Sequence, residues 1–171
     1  MQMFDRVFAS SLGSRLLAID LDVVIVDDLT PIVDRPEPLV CWKVKHANVF
    51  SGSFILMDAG VLHPLWEAFS RSPERFPMRA QPHGTPSDQA MLNYFLRSRT
   101  VPFWTEADGF VTYFGEGYEH KEHFGVGPTR QQLPPGARIV VLGSADLQVL
   151  ADRQIPWVRD HYPAISAEAA S

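Results

Sequence analysis

The sequence predicts an α/β fold, and three observations carry that prediction. An amphipathic stretch at 4–12 leads straight into an apolar, β-branched run at 16–26, and a helix feeding a buried strand is an α/β signature. A second run, 52–58, is apolar at consecutive positions, as in a strand buried on both faces. Between the strand-like runs, apolar residues return at helical spacing, as in Val61, Leu62, Leu65, Trp66 and Phe69.

The elements follow in order. Phe4, Val7, Phe8 and Leu12 mark one helical face, and Gly13 is placed to end that helix. Leu16 to Asp22 reads as a strand. The segment 27–38, with three prolines and four acidic residues, reads as a turn and connecting loop. Residues 40–44 and 52–58 are the next two strands. The helix carrying Val61 to Phe69 ends near Pro73 and Pro77. Ser87 or Thr85 can cap a helix that runs to Arg97, with Ala90, Met91, Tyr94 and Phe95 as its inner stripe. Short strands are expected at 101–104, 109–114 and 138–143, a helix at 146–153, and a closing segment at 157–161. No internal repeat or interior linker divides the chain, so the expectation is one domain over 1–162 and a frayed tail over 163–171.

Bulk properties narrow the function. The chain has 171 residues and a net charge of −5, without the basic stripe of a nucleic-acid binder. No apolar run approaches the roughly 20 residues that span a bilayer. The single cysteine, Cys41, excludes an internal disulfide and a cysteine metal cluster, which suits a cytoplasmic protein. Beside Trp42 it reads as a core residue.

The chemistry-bearing feature is the acidic doublet Asp20 and Asp22 inside the apolar run. In an extended chain, residues two apart share a face. Bare carboxylates in a strand core are costly. A strand end that delivers both to a divalent cation or a solvated cleft removes that cost. The bland reading is a pair of acids capping a turn. His120 and His123, with Glu119 and Glu122, lie among glycines and read as a solvated loop.

Several segments together resemble a GT-A type glycosyltransferase, of the small bacterial sort related to galactosyltransferase-like and glycogenin-like enzymes. The carrying pieces are the D-x-D run 15–29, the strand Phe50-Ser51-Gly52-Ser53-Phe54-Ile55-Leu56-Met57-Asp58, the pair Asp88-Gln89 after Ser87, and the later segments around Trp104, 111–113, 137–141 and 156–158. The resemblance implies a mixed, mostly parallel sheet flanked by helices, like the C-terminal portion of that fold. It implies transfer of a hexose from a nucleotide-diphosphate sugar to an unknown acceptor. Asp20 and Asp22 would hold Mn²⁺ or Mg²⁺, Asp88 would be the catalytic carboxylate, and Gln89, Ser51 and Gly52 would meet substrate.

The chain also departs from the pattern. The family usually has Asn where Ser51 stands, and Phe-His-Gly where Leu142-Gly143-Ser144 stands. Those differences imply a weakened or inactive member. In the resembled fold several βα units precede the D-x-D strand, so the expectation is that an N-terminal nucleotide-binding part is lacking and that an oligomer or partner chain completes the sheet. Two alternatives stay open: a non-catalytic carbohydrate- or partner-binding module on the same fold, and a haloacid dehalogenase-like phosphatase in which Asp20 attacks phosphorus and Asp22 is the acid/base.

Overall fold

The structure, a computed structural model, describes residues 2–44, 49–73, 87–113, 132–142 and 155–161. It is a mixed α/β protein with two mixed sheets flanked by helices. The chain divides into two compact units, Met1–Asp20 with Val33–Thr105, and Leu21–Ile32 with Glu106–Ser171.

The first unit holds α1 (Arg6–Leu12), β1 (Arg15–Ile19), β3 (Leu39–Val44), β4 (Val49–Asp58), α3 (His63–Arg71), α4 (Asp88–Leu96) and β5 (Phe103–Trp104). The second holds β2 (Val23–Ile25), α2 (Thr30–Val33, whose last residue falls in the first unit), β6 (Phe110–Tyr113), β7 (Ile139–Leu142) and α5 (Pro156–His161). The expected helix at 146–153, the histidines His120 and His123, and the tail 163–171 lie outside the described residues.

In the first unit the strand order is β1-β4-β3-β5. β4 pairs antiparallel with β1 and with β3, and β5 joins β3 in parallel. Period two places Cys41, Ile55 and Met57 in one core, where they pack with Phe4, Leu62, Leu65, Met91, Leu92 and Leu96. Val40, Trp42, Phe54 and Leu56, on the opposite face, are also buried. Phe54 meets Trp104 edge to face at 5.3 Å. The two-sided burial expected for 52–58 is therefore present.

In the second unit the order is β2-β7-β6, with β7 antiparallel to β2 and parallel to β6. Val24, Val140, Leu142, Ile155, Val158 and Trp157 form its core. Tyr113 closes on Trp157 edge to face at 5.6 Å.

The pairings correct the expectation of a single, mostly parallel sheet. Among the described residues three of the five strand pairings are antiparallel. The connection from β3 to β4 is too short for the dozen or more residues that a parallel crossover needs. The expected strand from Leu16 to Asp22 is also corrected. Strand β1 stops at Ile19, a turn follows, and β2 begins at Val23 in the other sheet. The carboxylates themselves break the run, because an extended, buried Asp would lose hydration without replacement. Leu21 between them is 94 % exposed.

The N-terminal stripe is a further difference. Asp5 caps α1 by accepting the Val7 N–H at 3.3 Å, so Phe4 lies in a preceding 3-10 turn and only Phe4 and Ala9 are buried. Val7, Phe8 and Leu12 face outward. Gly60, at φ +86°, lets α1 approach the β4–α3 turn: a Cβ there would lie 2.9 Å from Arg6 Cγ. Among the described residues no helix is long and apolar enough to cross a membrane.

Candidate functional site

The site is built on a defect in the β3–β4 ladder. Cys41 faces Ile55 and Lys43 faces Phe50, with a register shift between them. Trp42 alone therefore spans the stretch opposite Ser51 to Phe54. Such bulges interrupt backbone pairing and recur beside functional sites. The sequence supports the defect with the small residues Ser51, Gly52 and Ser53. Ser51 is buried, and its Oγ accepts the Ser53 N–H at 3.1 Å, so the irregular backbone is satisfied locally.

Helix α4 plugs into this stretch by its N-terminal turns. Ser87 is the N-cap, with Oγ accepting the Ala90 N–H at 3.1 Å. Asp88 follows in the first turn, exposed, with Oδ1 accepting the Gln89 N–H at 2.8 Å. A carboxylate there is favoured by the helix dipole. The inner face of α4 is Ala90, Met91, Leu92 and Leu96. Tyr94, expected inside, is exposed beneath the Arg97 guanidinium at 4.0 Å.

The contacts across the junction are polar. Gln89 Oε1 lies 3.4 Å from the Gly52 nitrogen, a long hydrogen bond. A Cβ placed on Gly52 would lie 3.8 Å from Asp88 Oδ1 and from Gln89 Cβ, ordinary van der Waals contact. Asn93 Oδ1 accepts the Phe50 N–H at 2.8 Å. Its Nδ2 donates to the Phe50 carbonyl at 2.6 Å and to the Gln89 carbonyl at 2.8 Å.

Ser51, Gly52, Asp88 and Gln89, separate in the chain, thus meet at one end of β4. Asp20 joins them through the backbone: its N–H donates to the Ser53 carbonyl at 3.0 Å, one step past the end of β1. The Asp20 side chain is exposed. Asp22 belongs to the second unit, where it is half-buried and its carbonyl accepts the Leu142 N–H at 2.9 Å.

Reading the sequence missed Asn93. A polar residue inside a helix reads as solvated, yet Gln89 and Asn93 stand four apart and share a helix face. That spacing, with a strand of small residues to pair against, was the available signal.

The turn between Asp20 and Asp22 removes the strand face they were expected to share, so each stands as a separate oxygen donor of the kind a hard cation takes. Among the described residues no group of three or more His, Cys, Asp or Glu forms a cage. Cys41 is buried, and burial pushes its thiol up to about 12, which excludes a thiolate nucleophile near neutral pH. Asp27 and Asp28 are turn acids. Asp28 accepts from the Thr30 N–H at 2.9 Å and hydroxyl at 2.8 Å, and those bonds hold its carboxyl below its ordinary value.

No family model, no curated protein and no solved structure matches this chain.

Proposed function

We propose that the protein is a glycosyltransferase-like enzyme that moves a hexose from a nucleotide-diphosphate sugar to an acceptor hydroxyl. One observation supports this reading above the others. Ser51, Gly52, Asp88 and Gln89, assigned to substrate from a sequence resemblance, converge on a bulged strand beside the N-terminus of a capped helix. The register defect turns β4 to side-chain partners on α4, and a ligand would meet those side chains beside Gly52. Gly52 lets that ligand approach the backbone closely.

Each residue then has a task. Gln89 offers an amide donor to a sugar hydroxyl, with its Oε1 held toward the Gly52 N–H. Asp88, exposed beside it, takes the acceptor proton or stabilises positive charge on the sugar ring. Ser51 keeps the bulge closed. Asp20 and Asp22 are proposed to hold Mn²⁺ or Mg²⁺, which would neutralise charge on the departing diphosphate. A cytoplasmic location and completion of the sheet by a second chain belong to the same proposal.

The test is calorimetric titration with UDP-glucose and Mn²⁺, alongside an assay for UDP release. The parent should bind donor in a metal-dependent way. Asp22→Asn should lose that dependence, while Asp88→Asn should keep donor affinity and lose UDP release. An Asp22→Asn protein that binds Mn²⁺ and donor like the parent overturns the metal assignment. Donor binding without UDP release in the parent favours a non-catalytic carbohydrate-binding module.

A further inference from the structure

We infer that Asn93 is the positioning residue of this site: its carboxamide sets where the first turns of α4 stand against the bulged stretch of β4. The inference rests on reading the β4–α4 junction as the donor site.

The Asn93 amide pairs with both backbone polar groups of Phe50, accepting from the N–H at 2.8 Å and donating to the carbonyl at 2.6 Å. A neighbouring strand would supply those same two bonds. Phe50 is the residue at which the β3–β4 register resumes after its shift. Asn93 therefore anchors the strand at the border of the defect. Its remaining amide hydrogen goes to the Gln89 carbonyl at 2.8 Å, one helical turn back. One side chain ties the border of the bulge to the residue that reaches Gly52.

Among short polar side chains only this carboxamide offers the combination. A carboxylate cannot donate, and a hydroxyl cannot span both groups of Phe50. Asn93 is half-buried, away from bulk solvent competition. By contrast, the Gln89–Gly52 bond is long at 3.4 Å and would not hold the junction by itself. Gly52 needs neither a left-handed conformation nor the absence of a side chain for packing. The separation between β4 and α4 is thus set elsewhere, and Asn93 is placed to set it. Asn93 acts through Gln89 and Gly52 and does not itself meet the reacting atoms.

Two variants test this in the full chain. Asn93→Ala removes every bond, and Asn93→Asp keeps the acceptor for the Phe50 N–H while facing oxygen to both carbonyls. Val101→Ala, in the same core cluster, serves as a control for general loss of stability. Amide hydrogen exchange at Gly52 and affinity for UDP-glucose with Mn²⁺ are measured on all four proteins. Relative to the control, both Asn93 variants should exchange the Gly52 amide about tenfold faster and bind donor about tenfold more weakly, the effect of losing hydrogen bonds that carry charge-free partners. Gly52 exchange and donor affinity both at control values would overturn the inference and leave Asn93 a stability residue only. Should Asn93→Ala fail to fold, Asn93→Asp decides. A parent that binds no UDP-glucose sinks the donor-site reading instead, and Gly52 exchange then decides alone whether Asn93 holds Gln89 in place.

Discussion

The two sheets use their inner strands in opposite ways. In the second unit, β7 pairs residue for residue with β2 and with β6, and Ile139, Val140, Val141 and Leu142 are all buried. Its register runs without a shift against both neighbours, and every side chain is buried. In the first unit, β4 is longer and half of it behaves like β7. Its other half loses register against β3, carries Ser51, Gly52 and Ser53, and turns to α4 for its polar partners. A regular ladder leaves nothing for a ligand. An irregular one, held by side-chain amides, leaves the Asp88 carboxylate beside it exposed. The contrast separates residues that make the fold from residues free to do chemistry.

Substitutions can break or sharpen that contrast. The largest effect belongs to β7: Ile139→Ala should cost about 3 kcal/mol in urea denaturation, from lost burial and a residual cavity. Ser87→Ala at the α4 cap should cost about 1 kcal/mol and also weaken donor binding, since it loosens the turn that carries Gln89. Gly52→Ala should change stability by less than about 1 kcal/mol, because its backbone and surroundings accept a Cβ. Donor affinity should nevertheless fall, and fall further with Gly52→Val. Equal losses of stability at Ile139 and Gly52 would erase the distinction between the sheets.

The smallest effect is electrostatic. The Arg35 guanidinium, with Nη2 2.7 Å from Glu37 Oε1, holds the Glu37 carboxyl down at about 2 against an ordinary 4.5. Its contribution is complete above the unfolded value and fades as pH falls from about 4.5 toward about 2. Glu37→Gln should flatten the acid limb of the stability curve in that window and leave neutral pH little changed.

Much of this was legible in the chain. Ser87 before an acid and an apolar stripe marks the start of α4 within one residue. The β-branched run at 138–143 marks β7. The two-sided burial of β4 follows from its consecutive apolar residues. The break at Asp20-Leu21-Asp22 was harder, because hydrophobic pattern alone favours one continuous strand and says nothing of a change of sheet. The outward face of α1 was hidden for another reason. Its phase is set by the Asp5 cap and by Ala9, and neither stands out in an apolar pattern. The register shift leaves only a trace, three small residues in a row, and strand direction leaves none.

The most direct measurement is a backbone amide NMR titration with UDP-glucose and Mg²⁺. The account predicts shifts that begin at Gly52, Asp88 and Gln89 and spare Ile139 to Val141. Saturable shifts centred on β7, with Gly52 and Gln89 unmoved, would contradict it.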